Sequence, residues 1–109
     1  MKYRIIAFLF CFGLLDSVAL AGSWVSIQNY ELWSNTYNDD RIRITGITIQ
    51  NPELCLDADS YMVHNGHPDA IKDRIYSALL SALISGKSIE IYIDGCESNR
   101  PRIKNVKAK

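Results

Sequence analysis

The sequence predicts a mainly β (α+β) fold: a five-stranded OB-fold-like barrel with one amphipathic helix between the third and fourth strands. Three observations carry that expectation. Five stretches are rich in β-branched and aromatic residues, and one stretch places apolar residues at helical spacing. In two of the strands the apolar parity shifts by one residue, as it does at the bulges that curl a sheet. A flat α+β sheet carrying one helix has the same element order, and the two shifts in a short chain favour the barrel.

The first twenty-one residues stand apart. Lys2 and Arg4 precede the apolar run "IIAFLFCFGLL", and Ala19 and Ala21 give the small-residue spacing that a signal peptidase reads. A run of eleven residues is too short for a bilayer, which needs roughly twenty, so a membrane anchor is the weaker reading. Residues 1–21 are therefore expected to be a signal peptide cleaved before Gly22, and 22–109 one OB-fold-like domain that is secreted or periplasmic. Cys11 lies mid-segment, away from the cleavage point, which argues against a lipoprotein. Its loss leaves Cys55 and Cys96, and an oxidising compartment makes a disulfide the natural outcome. Metal binding by the pair is the alternative, and neither cysteine has a C-x-x-C partner.

The elements follow in order. "SWVSIQNYELWSN" (23–35) reads as a strand or extended arm with a bend near Gln28–Asn29, where the apolar parity changes. "SNTYNDD" is a turn cluster. "RIRITGITIQ" (41–50) is the clearest strand, with Ile42 and Ile44 on one face and a bulge expected at Gly46. "LCLDADSYMVHN" (54–65) is the third, with Leu54, Leu56 and Ala58 on one side. Pro68 and Asp69 suit a helix start. Ile71, Ile75, Leu79 and Leu83 form one apolar row, Tyr76, Leu80 and Ile84 a second, and Gly86 is the stop. "SIEIYIDG" (88–95) alternates with Ile89, Ile91 and Ile93 inward, and "RIKNVKAK" closes the domain.

The tryptophan near the start of the domain, "IRITGITI", "ELC", "IYSALLSALISGKSIEIYI" and the cysteine that follows resemble the B subunit of subtilase cytotoxin and pertussis-like toxins, and small secreted proteins akin to it. The resemblance covers most of residues 22–109. It implies an OB-fold, a homo-pentameric ring, binding of sialylated glycans, and delivery of a separate enzymatic A subunit. An intramolecular disulfide is common in that family. The family's serine and tyrosine that contact sialic acid map onto Ser34 and Tyr37.

The residues themselves fit a ligand-binding module. Sugar sites on small β-proteins use an aromatic face for apolar C–H groups and short polar side chains for hydroxyls. Trp33, Ser34 and Tyr37 supply both, and Arg41 adds charge for an acidic sugar. The competing reading makes Trp33 and Tyr30 a cover for the barrel or a subunit contact. No catalytic motif, phosphate loop or recognisable metal spacing occurs, although Asp57, Asp59, His64 and His67 fall near one another in sequence. The expectation is thus a non-enzyme without cofactor or metal, recognising a glycan or protein. The alternative is a monomeric envelope accessory protein. Removing 1–21 leaves ten basic and eleven acidic residues, which with export argues against nucleic acid, despite five basic residues in the last ten.

Overall fold

The computed structural model describes residues 22–34 and 41–108. The expected signal peptide, Tyr37 and most of the 34–40 turn lie outside them. The elements are β1 Ser23–Ile27, β2 Glu31–Ser34, β3 Ile42–Thr45, β4 Tyr61–Val63, α1 Asp69–Ser85, β5 Ile89–Glu97 and β6 Arg100–Ala108. The described chain is thus mainly β with one helix. Its strands form one mixed sheet in the order β1-β5-β6-β4-β3-β2. Every neighbouring pair is antiparallel except β4 and β6, which run parallel.

The expected first strand is two strands. Its ladder is interrupted between Ile27 and Glu31, where Asn29 takes the left-handed φ of 56°. The halves lie at opposite edges of the sheet, β1 on β5 and β2 on β3. No ladder joins β1 to β2 among the described residues, so the sheet is open and six-stranded rather than closed and five-stranded.

Two further strands are shorter than their hydrophobic patterns suggest. β3 ends at Thr45, and Gly46 follows with φ 82°. A Cβ on Gly46 would come within 2.9 Å of Glu31 Cγ, so glycine serves both the turn and the close approach. Ile47 and Ile49 then pack on the core without entering a ladder; the expected bulge is a strand end. Of 54–65, only Tyr61–Val63 pair. Leu54 and Leu56, expected to share one face of a strand, lie outside any ladder and are 80% and 84% exposed. The cause is local hydrogen bonding. The Asn51 side chain accepts the Cys55 N–H (2.8 Å) and donates to the Cys55 carbonyl (2.9 Å), while the Leu54 N–H bonds Asn51 O (3.2 Å). That turn holds Leu54 at φ 54° and buries Cys55, leaving its two neighbours outside.

Cys55 is disulfide-bonded to Cys96, with Cα atoms 5.8 Å apart and a sequence separation of 41. Cys96 lies in β5, opposite Pro101 of β6, beyond a register shift after Ile93. The β5–β6 hairpin turns through Ser98 and Asn99, both left-handed at φ 52° and 67°, the pattern of a type I′ turn whose twist suits the strands. Asp57 N–H bonds Asn99 O at 2.8 Å, so the 51–60 loop is tied to this turn as well as to the disulfide.

The helix follows Pro68 and stops at Gly86, which is left-handed at φ 71°. Its N–H bonds Leu83 O and that of Lys87 bonds Ala82 O. Ile75 and Leu79 are buried, and Ile71, Tyr76, Ala78, Ala82 and Leu83 pack beside them. The apolar stripe is narrower than predicted: Leu80 and Ile84 are exposed, whereas Lys72 is buried and reaches Asn65 Oδ1 (3.4 Å). Opposite the helix, Ile44, Tyr61, Ile89, Ile91, Ile93 and Ile103 form the sheet side of the core. Tyr30, between β1 and β2, donates its buried hydroxyl to Leu79 O at 2.6 Å, and burial raises its pKa. That bond ties the break between the two edge strands to the helix.

Candidate ligand-binding site

Strand alternation sorts the residues expected to bind. Along β2, Leu32 and Ser34 lie on the core side, opposite Ile44 and Ile42, while Glu31 and Trp33 lie on the outer side. Glu31 faces Thr45, and Trp33 faces Arg43. Arg43 in turn faces Met62, which pairs with Arg102. One cross-strand row on the outer side therefore reads Trp33, Arg43, Met62, Arg102.

Trp33 is 55% exposed, but its ring is held. The indole N–H donates to Thr45 Oγ1 at 3.0 Å, and that hydroxyl donates to Glu31 Oε1 at 3.1 Å. Met62 is fully buried although it lies on the outer side, in register between Arg43 and Arg102.

Most cations on this side have partners. Arg102 Nε donates to Asp94 O (3.0 Å), and its Nη1 lies 3.8 Å from Glu97 Oε1. Arg100 clasps Asp59 through two bonds of 2.7 and 3.2 Å. Arg41 Nη1 donates to Ser98 Oγ. Among the described residues Arg43 forms no ion pair; Asp59 feels its charge but is already bound by Arg100. The outer face of β2–β3 thus presents an immobilised indole, a hydroxyl, a carboxylate and a guanidinium with donors to spare.

Hydrogen bonds from Arg100, then from Ser60, hold the Asp59 carboxyl below its ordinary value of 3.8. A lowered folded-state pKa contributes stability above the unfolded value, and this is lost as pH falls through the folded value. Asp59 is solvent-exposed, so the effect is small. Melting temperature measured from pH 5 to about pH 2 should fall less steeply in Asp59→Asn than in the parent.

The structure separates the expected site residues. Trp33 lies on the outer side, whereas Arg41, just ahead of β3, donates to Ser98 in the β5–β6 turn. Ser34 faces the helix instead. It lines a cavity of about 320 Å³ with Ile42, Asp69, Lys72, Asp73 and Tyr76. Arg43, Thr45 and Glu31 were missing from the expected set. For Arg43 and Thr45 the signal was the parity of "RIRIT", whose arginines and threonine must oppose its isoleucines; for Glu31 it was its place two residues before Trp33 on the same strand.

The histidines do not join the acidic residues of the 57–59 loop. His64 Nδ1 lies 3.3 Å from Glu97 Oε1, and His67 Nε2 lies 3.0 Å from Lys104 O. Among the described residues no group of three His, Cys, Asp or Glu side chains is placed to hold a metal, and no helix is long and apolar enough to cross a membrane. No protein family, curated protein or solved structure matches the chain.

Proposed function

We propose that this protein is a secreted glycan-binding module of the toxin B-subunit kind, with the outer face of β2–β3 as its site for an acidic sugar. The observation that carries the reading is the fixed, exposed Trp33 beside Arg43 on one face. The indole offers a flat surface to the apolar side of a pyranose, and the guanidinium takes a carboxylate in bidentate fashion. Thr45 and Glu31 are within the same patch for hydroxyl groups. A disulfide between Cys55 and Cys96 supports an oxidising compartment.

The proposed architecture is an OB-like strand arrangement left open where its first strand is split. Its support is that both sheet edges come from one segment, 23–34, joined through Gln28–Tyr30, and that the helix lies between the strand pair β3–β4 and the strand pair β5–β6. A homo-pentameric ring and an enzymatic A subunit belong to the same reading.

Binding of a sialylated trisaccharide, followed by calorimetry with light scattering for mass, tests it. Trp33→Ala should weaken binding roughly tenfold. Arg43→Ala should remove the preference for the sialylated sugar over its neutral counterpart. Ser34→Ala, on the opposite side, should bind as the parent does. No sialoglycan binding by the folded parent would refute the reading. A second reading, a monomeric accessory protein with a protein partner, is favoured by the outward Leu54 and Leu56, and a monomeric mass with no glycan bound would select it.

A further inference from the structure

A second aromatic patch lies at the other edge of the sheet, far along the strand order from β2. Trp24 of β1 is in register with Tyr92 of β5, and Tyr92 with Asn105 of β6. The next row is Ser26, Glu90 and Lys107. These six residues share the outer side, because Val25, Ile27, Ile89, Ile91 and Ile93 take the inner one.

Trp24 remains 44% exposed, yet it is fixed in place. Its ring centroid lies 5.1 Å from that of Tyr92 at an interplanar angle of 51°. Lys107 Nζ sits 4.6 Å from the Trp24 ring centroid and is itself held 3.2 Å from Glu90 Oε1. The Asn105 side-chain oxygen accepts the Val106 N–H at 3.0 Å, which leaves the amide NH2 as the group offered to solvent. Gly22 completes the wall: a Cβ there would come within 2.5 Å of the Tyr92 hydroxyl, so the chain passes directly against that side chain.

We infer that this patch is a separate binding site for an uncharged saccharide. The aromatic part is preorganised, so ligand binding need not freeze a mobile indole. Lys107 and Glu90 neutralise each other, so the patch carries no net charge with which to select an anion. What it presents is an apolar ring edged by an amide donor, a hydroxyl and a carboxylate acceptor. That combination matches a pyranose with an apolar C–H face and equatorial hydroxyls. An acidic sugar would meet Glu90 and would have to compete with it for Lys107. The site shares no residue with the Trp33 patch, so it stands or falls independently of the acidic-glycan reading.

The test uses Trp33→Ala protein, which lacks the first patch, with N-acetyllactosamine and maltotriose as uncharged probes and saturation-transfer NMR and calorimetry as readouts. Saturable binding of either probe is expected, roughly tenfold weaker when Trp24→Ala is added and several-fold weaker with Asn105→Ala. Circular dichroism establishes that each variant is folded, and Trp24→Phe, which keeps an aromatic face, should retain part of the affinity. Absence of saturable binding to both probes, or undiminished binding in the Trp24→Ala and Asn105→Ala proteins, overturns the inference. So does a sedimentation result in which Trp24→Ala abolishes self-association while no sugar binds, because the patch is then a protein interface.

Discussion

Reduction of the Cys55–Cys96 disulfide is expected to cost about 4 kcal/mol of folding stability. The bond closes a loop spanning 41 residues, and chain-entropy reasoning gives that magnitude for a loop of this size. Its importance follows from size. The 88 residues from 22 to 109 correspond to a total stability on the order of 5–10 kcal/mol, so the bond accounts for a large part of it. It also anchors a loop with little packing of its own, since Leu54 and Leu56 on either side of Cys55 are exposed. Cys55→Ala with Cys96→Ala, or treatment of the parent with reductant, should lower the melting temperature by about 15–30 °C. Differential scanning calorimetry of both preparations checks this. A shift of less than about 5 °C would show that the Asn51 turn and the Asp57–Asn99 bond hold the loop without the covalent link.

Leu79→Ala should destabilise the fold by about 3–4 kcal/mol, within the range for a fully buried leucine. Leu79 is inaccessible to solvent and lies in the core cluster with Ile75 and the sheet isoleucines. Its carbonyl also receives the Tyr30 hydroxyl, so a helix that shifts to fill the cavity disturbs the break between β1 and β2 as well. Ile84→Ala, further along the same helix, should change stability by well under about 1 kcal/mol, because that side chain is 77% exposed. Urea titrations of the two variants decide between these expectations. Similar midpoints for both would mean that the helix packs through a face other than the one described.

The helix and β5 were the most legible parts of the chain, and the reason is length. Seventeen helical residues give several turns over which period and cap agree. Ile89, Ile91 and Ile93 alternate without interruption in a strand of nine. The 54–65 segment misled for the opposite reason. Leu54, Leu56 and Ala58 alternate as a strand should, but the Asn51 side chain gives the backbone a competing set of hydrogen bonds, which alternation does not register. The disulfide was legible from the number of cysteines left once the expected leader is set aside. The candidate site was half legible. Trp33 stood out by type, whereas its neighbours were sought along the chain and are found across the strand, in Arg43 and Thr45. Register is a long-range property, and one sequence shows it only through parity.

The position of β6 bears on biogenesis. This strand leaves the ribosome after the other five, yet it is an interior member of the sheet, hydrogen-bonded to β5 on one flank and to β4 on the other. Until it has emerged, β4 has no partner on that flank, and the two halves of the sheet have nothing between them. A nascent chain built this way cannot complete its sheet until the last of the six described strands is made.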